Sequence, residues 1–190
     1  MTFHLLIKLF VLMPAILIAE QKLPSSLKKD LARISGQKQI ELAELTVIAA
    51  GNQPQMSEGS FYSVGDLEKS NGLYYVYVGK VNSCRAGGCS ISTFNDDRTD
   101  HEYFEYYVIY NAKMVVQHVR VFNYQASHGH EISSVGWLKQ FRGYSGNESL
   151  AIGKQIDAIS GATISVHAIT NDIEVKTKLL RQILSMQAKR

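Results

Sequence analysis

Apolar and polar residues alternate with a period of two along two stretches in the middle of the chain. From Leu73 onward these stretches read GLYYVYVGKV and then YFEYYVIYNAKMVVQHVRVFNY, and both are rich in Tyr, Val and Ile. The pattern is typical of β-strands, and the break at Asn111-Ala112-Lys113 predicts the loop of an antiparallel hairpin. We interpret the tyrosines as core and cross-strand packing residues. The centre of the chain therefore predicts a mainly antiparallel sheet.

Segments on either side of this predicted sheet have the helical period. LPSSLKKDLARISG predicts a short amphipathic helix that follows Pro24, has a Ser cap and ends at Gly36. IELAELTVIA fits either a helix or a strand, and GNQPQMSEGS is typical of a loop.

The C-terminal third of the chain predicts two further helices. Ser133 or Ser134 can cap a short helix that runs through Trp137 and Phe141 and stops near Gly143. One face of a long final helix is marked by Ile169, Ile173, Leu180, Ile183 and Leu184. The predicted fold class is α+β: a mainly antiparallel sheet with flanking helices and a long C-terminal helix.

The N-terminal segment has the composition of an export signal. Lys8 precedes an uninterrupted apolar run from Leu9 to Ala19, which predicts a signal peptide or N-terminal membrane anchor over residues 1–19. Leu17 occupies a position where a cleavage site prefers a small residue, so both a released and a tethered protein remain open. The formal net charge of +3 and the absence of basic runs with interleaved aromatic residues argue against nucleic-acid binding.

Export determines how the two cysteines of the chain, Cys84 and Cys89, are interpreted. In an oxidising compartment a closely spaced pair is most simply a structural disulfide. A redox-active pair is the second interpretation. A zinc site with His128 and His130 is the third, because one residue between the histidines is too few for usual zinc-ligand spacing. We predict no metal site.

The nonapeptide DAISGATIS, residues 157–165, lies just before the long helix. Gly161 and Ala162 allow a tight turn, and a helix N-terminus offers unpaired N–H groups that suit a phosphate. Either Thr163 or Ser165 could cap the helix, and a plain helix cap after a glycine turn is an alternative to a ligand site. The segment has neither the pattern of a P-loop nor that of a serine-hydrolase elbow. On physical grounds, the hydroxyls of Ser160, Thr163 and Ser165 all remain candidates.

Asp157-Ala-Ile-Ser-Gly-Ala-Thr163 resembles the flavinylation motif of the FMN-binding domain family. That family includes the C subunit of the sodium-translocating NADH:quinone reductase and the G subunit of the Rnf complex. The resemblance implies that Thr163 carries FMN through a phosphoester bond, which a separate magnesium-dependent flavin transferase forms with FAD as the donor. Ser160, Gly161, Ala162 and Ser165 are then supporting residues of the cofactor site.

The resemblance extends upstream to SHGHEISSVGWLKQFRGYSG and covers roughly residues 73–180. It implies an FMN-binding domain at 73–190, preceded by an N-terminal helix and variable segment at 20–72. Within the site, Asp157 is expected to fix the turn through backbone N–H bonds or to contribute to magnesium or transferase recognition. His128 and His130 fit solvated loop residues, with a hydrogen bond from one of them to the flavin ring or phosphate as the alternative. Trp137 is expected to anchor a helix on the sheet, with stacking on the flavin ring as the alternative. The respiratory subunits have an E-T-P-G-x-G turn where this chain has SHGHE, so contacts at that turn do not transfer directly.

The function implied is that of an exported electron-transfer flavoprotein, periplasmic or attached to the outer face of the bacterial cytoplasmic membrane. Its expected partners are the flavin transferase and redox proteins or a membrane electron-transfer complex. Whether the chain is an enzyme stays open. The alternatives are a flavin-dependent reductase that uses Cys84 and Cys89 as a dithiol relay, and a non-redox binding domain of the same fold.

Overall fold

The computed structural model describes residues 23–36, 40–45, 59–65, 74–85 and 101–188. In chain order these residues form α1 (Ser25–Ser35), β1 (Leu42–Glu44), β2 (Gly59–Val64), β3 (Tyr74–Arg85), β4 (His101–Asn111), β5 (Val116–Tyr124), a 3-10 turn (His130–Ser133), α2 (Val135–Leu138), a second 3-10 turn (Lys139–Phe141) and α3 (Thr163–Gln187). The predicted signal or anchor segment and Cys89 lie outside the described residues. Within the described part of the chain, no helix is long and apolar enough to cross a membrane.

The five strands form one antiparallel sheet in the order β1-β2-β3-β4-β5, so each strand pairs with its neighbour in sequence. The predicted hairpin is present: β4 and β5 are joined through residues 112–115, and the Asn111 side-chain oxygen accepts the N–H groups of Lys113 and Val115. The α+β fold class with a mainly antiparallel sheet is therefore confirmed. The IELAELTVIA segment, which fitted either element, contains the short strand β1.

Helices cover both faces of the sheet, and alternate residues of β4 pack against different helices. Tyr106 and Tyr110 belong to a core cluster with α3, whereas Tyr107 and Ile109 belong to a second cluster with α1. Successive strand residues point to opposite faces, so a strand packed on both sides reads as continuously apolar. All four side chains are fully buried, and the interpretation of the tyrosines as core residues is confirmed.

The first helix ends as predicted, but it does not begin as predicted. Gly36 is its C-cap in a left-handed conformation. The N-cap is Pro24, and no side chain caps the helix. The expected Ser cap is wrong because Pro24 already has the extended conformation of an N-cap residue, and Ser25 and Ser26 fall inside the first turn.

The C-terminal helices agree more closely with the sequence. Ser134 caps α2 by accepting the backbone N–H of Trp137 at 3.3 Å. The helix then tightens into the 3-10 turn that ends at Phe141. The long helix α3 is also confirmed, and it buries the predicted face against the sheet, with Ile169, Ile173 and Leu180 fully inaccessible.

Candidate functional site

The DAISGATIS segment forms the turn that leads into α3. Gly161 has a φ of +81°, a conformation that favours glycine, and α3 begins two residues later at Thr163. The N-cap is Ala162, which has no side-chain hydrogen-bonding group. The prediction that Thr163 or Ser165 caps the helix is therefore wrong, because both residues lie inside its first turn.

The absence of a side-chain cap leaves the start of α3 suited to an anion. The first backbone hydrogen bond of the helix runs from the N–H of Val166 to the carbonyl of Ala162, at 2.9 Å. The N–H groups of the preceding turn therefore have no partner within the helix. No acidic residue occupies that turn. A negatively charged group placed there would gain both these donors and the positive end of the helix dipole.

The three candidate hydroxyls of the motif have different environments. Ser165 is only 2% exposed, and its hydroxyl hydrogen-bonds those of Ser83 at 2.7 Å and Tyr124 at 2.9 Å. Ser160 and Thr163 are exposed, and neither side chain makes a hydrogen bond within the described residues. The Ser165 hydroxyl is therefore buried and engaged in hydrogen bonds, whereas Ser160 and Thr163 are accessible.

A pocket of about 280 Å³ lies over the start of α3. Its lining residues come from β3, the loop after β5 and the motif: Ser83, His128, Gly161, Ala162, Thr163, Ile164 and Ser165. None of them is acidic, which fits a phosphate ligand. The volume is close to the lower limit of about 300 Å³ for small-molecule sites. Thr163 lines this pocket, whereas Ser160 does not.

A network of hydroxyl groups links the elements that line the pocket. The Tyr124 hydroxyl donates to the carbonyl of His128 at 2.6 Å and also contacts the Ser165 hydroxyl. It thereby ties the loop that carries His128 to the first turn of α3. Gly129, with a φ of +84°, permits this approach: a Cβ there would lie 2.6 Å from Ser165 Oγ. Ser83 and Tyr124 were not predicted from the sequence because neither belongs to a motif, and only the folding of β3 and β5 brings both hydroxyls to Ser165.

The two remaining predicted site residues, Asp157 and Trp137, lie outside the pocket lining. The Trp137 indole N–H donates to the carbonyl of Asp157 at 2.9 Å, and the N–H of Asp157 donates to the Gln140 side chain at 2.7 Å. The backbone of Asp157 is thus fixed to the α2 region, while its side chain is exposed. Trp137 is 9% exposed and packs edge-on against Phe141, so it anchors the start of the motif.

A residue of β4 also fixes the loop that contains His128. Glu102 accepts hydrogen bonds from both the hydroxyl and the backbone N–H of Ser127. These bonds, reinforced by nearby His128, hold the pKa of Glu102 below its usual range. His130 lies edge-on to the Tyr124 ring, with 6.4 Å between ring centroids. The loop therefore presents His128 to the pocket and turns His130 toward Tyr124.

Comparison with known proteins gives one match. The model of the FMN-binding domain family matches residues 102–175, which extend from the start of β4 into the second half of α3. No curated protein and no solved structure matches the chain significantly. The matched range includes the DAISGATIS motif, His128 and Tyr124, but not Ser83.

Proposed function

We propose that this chain, of which residues 102–175 match the FMN-binding domain family, carries FMN covalently on Thr163 and acts as an exported electron carrier. FMN itself is the ligand that the family match supports.

One observation carries the assignment to Thr163. Of the three hydroxyls in DAISGATIS, only that of Thr163 is both exposed and part of the pocket lining. Ser165 is buried in the hydroxyl network, and Ser160 lies outside the pocket. The motif resemblance and the position of Thr163 in the pocket both support this assignment.

In the proposed attachment reaction, FAD donates its FMN part to the protein. Thr163 Oγ1 forms a bond to the FMN phosphorus, AMP leaves, and the hydroxyl proton passes to a base. No pocket-lining residue is a carboxylate, and His128 is the lining side chain that could accept this proton. The lack of carboxylates in the lining fits a separate flavin transferase that supplies magnesium. The protein contributes an accessible hydroxyl and a helix N-terminus that stabilises the negative phosphoester.

When bound, FMN would supply the redox chemistry, and the protein would position it. His128 is placed to hydrogen-bond the bound group from the pocket wall, and Tyr124 and Ser165 fix that wall by their shared hydrogen bond. Export through the segment at residues 1–19 would place the domain outside the cytoplasm, where redox partner proteins or a membrane electron-transfer complex would exchange electrons with it.

Intact-mass measurement after co-expression with a flavin transferase tests the attachment. We expect the protein to gain the mass of FMN less one water, and tryptic peptides to locate the gain at Thr163. Thr163→Ala should abolish the gain. Ser160→Ala is the matched control: it removes the other exposed hydroxyl of the motif and should leave the gain intact.

Two results would refute the proposal. Added mass that persists in Thr163→Ala would place the attachment elsewhere. A chain that gains no mass, while a known substrate of the same transferase is flavinylated in the same cells, would instead indicate a non-covalent or non-redox binding domain.

A further inference from the structure

A second pocket, of about 370 Å³, lies where the end of α1, the start of β5 and the α2 region meet. We call it the basic pocket because Arg33, Lys139 and Arg142 all line it. These side chains come from separate elements: Arg33 from the last turn of α1, and the other two from the 3-10 turn after α2 and the residue that follows it. The DAISGATIS motif contributes nothing to its lining.

Two of the three cations of the basic pocket have no acidic partner within the described part of the chain, whereas Arg33 pairs with Asp30 at 3.0 Å. No acidic residue lines the pocket. Neither Lys139 nor Arg142 makes an ion pair among the described residues, and both are exposed. An anion that enters the pocket would therefore meet two cations that need not leave another partner.

The carboxylate of Asp30, which lies beside Arg33 and His118 of the pocket lining, is already occupied. It accepts the Tyr107 hydroxyl at 2.7 Å and lies 3.0 Å from nitrogens of Arg33, His118 and Arg120. With four donors, it has no capacity left for Lys139 or Arg142.

His118, which lines the pocket beside Asp30, adds no positive charge near pH 7, and its Nε2–H already donates to Asp30. Burial lowers its pKa, and the attraction of Asp30 only partly opposes that effect, while Arg33 and Arg120 reinforce it. The net positive charge of the pocket therefore comes from Lys139 and Arg142, because Arg33 is paired with Asp30.

The remaining wall of the basic pocket is apolar. Ile34, Val119, Val135 and Leu138 line it, and Val135 is 55% exposed, one of the most exposed large apolar side chains among the described residues. Apolar side chains next to unneutralised cations suit a ligand with both kinds of group. We propose that the basic pocket binds a small amphipathic anion, that is, a phosphate or carboxylate attached to an apolar body.

The basic pocket is separate from the site proposed to hold FMN, but residues of the α2 region contribute to both. Val135 and Leu138 of α2 face the basic pocket, whereas Trp137 and Gln140 in the same region hold the backbone of Asp157. Binding does not depend on Thr163, so Thr163→Ala should bind the same ligands equally well.

Titrations of the whole protein with four separate probes test the proposal. Hexyl phosphate, hexanol and hexylammonium share one apolar body and differ in charge, and inorganic phosphate lacks the body. Trp137, the only tryptophan, lies next to Leu138 and reports binding by its fluorescence. We expect saturable 1:1 binding of hexyl phosphate, with each other probe at least about tenfold weaker, which corresponds to about 1.4 kcal/mol.

Charge variants then locate the site. Lys139→Gln and Arg142→Gln should each weaken hexyl phosphate binding by about three- to tenfold. Lys28→Gln removes an exposed cation of α1 that is not part of the lining and should have no effect. All three changes are on exposed residues, so the fold should be retained, and a thermal melt checks this.

Three outcomes would overturn the inference. Hexanol binding as tightly as hexyl phosphate would show that the cations do not contribute, and inorganic phosphate binding as tightly would show that the apolar wall does not. Hexyl phosphate that fails to bind, or that binds the two variants as well as the wild type, would show that the basic pocket is not a binding site for such anions.

Discussion

Helices α1 and α3 pack on opposite faces of one sheet, and each is fixed by the same kind of contact. On one face, the Tyr107 hydroxyl donates to Asp30 of α1 at 2.7 Å. On the other face, the Tyr106 hydroxyl donates to Asp172 of α3 at 2.6 Å. The two tyrosines are neighbours in β4, and burial raises the pKa of both hydroxyls, so each remains protonated and donates. The two contacts are therefore alike in geometry.

The two aspartates differ in the exposure of their cationic partners. The side chains of Arg33 and Arg120, beside Asp30, are 65% and 36% exposed. The side chain of Lys176, 3.7 Å from Asp172, is only 4% exposed. Water can solvate the arginines if their carboxylate is removed, but it cannot reach the lysine. The same hydrogen bond should therefore matter more on the α3 face.

The largest expected effect follows from the buried lysine. Asp172→Ala should lower the free energy of unfolding by about 3–5 kcal/mol, because it leaves a buried ammonium without its carboxylate. Urea denaturation measures the change. Adding Lys176→Met should recover much of the loss, since the unpaired charge is then absent. A double variant no more stable than Asp172→Ala would show that the cost does not come from the stranded charge.

Asp30→Ala should cost less, about 2 kcal/mol, from the unpaired Tyr107 hydroxyl and the lost packing of α1. The same urea measurement gives the value. Asp157→Ala, at an exposed carboxylate, is the control and should change stability by less than about 0.5 kcal/mol. If Asp30→Ala destabilises the protein as much as Asp172→Ala, partner exposure is not what distinguishes the two faces.

A third, smaller effect concerns how the start of α3 is held. Gly129→Ala places a Cβ against Ser165 and strains a φ of +84°, and we expect a loss of about 1–3 kcal/mol. Gly153→Ala shares the strain, with a φ of +83°, but has no atom within 4 Å of the new Cβ. Thermal denaturation should show the larger loss for Gly129→Ala, and adding Ser165→Gly should narrow the difference. Equal losses would mean that the approach to Ser165 is unimportant.

The smallest effect is a pH dependence on the α1 face. Burial opposes ionisation of Asp30, but Tyr107, His118, Arg120 and Arg33 outweigh it and lower its pKa. The unfolded chain then takes up a proton first, so this stabilisation is present above about pH 4 and is lost as the pH falls through the lower folded pKa. The lowered pKa of His118 acts in the same direction, below about pH 6.5.

Urea titrations at a series of pH values separate the two contributions. His118→Gln should flatten the dependence that begins below about pH 6.5 and only reduce the acid limb, because Tyr107, Arg120 and Arg33 still lower the pKa of Asp30. Asp30→Asn should flatten the acid limb. A variant profile parallel to that of the wild type over the relevant range would contradict the assignment.

The fold was predictable where the pattern is local. Alternating residues in β3, β4 and β5 predicted the sheet, Gly36 predicted the end of α1, and the apolar face of α3 predicted its length and orientation. The helix starts were less predictable, because a side chain that can cap a helix does so only if the backbone places it one residue before the first turn. Ser25 and Thr163 each lie one residue after the N-cap position, so neither side chain caps its helix.

The sequence by itself determined the α+β class, the DAISGATIS motif and its likeness to a flavinylation site, since these depend on residues close together in the chain. It left three hydroxyls open on physical grounds. Only the tertiary structure determined that Ser165 is buried against Ser83 and Tyr124 and that Thr163 is exposed in a pocket. It also determined that Arg33, Lys139 and Arg142 line a second pocket. Burial and charge clustering arise from contacts between residues far apart in the chain, so no local pattern encodes them.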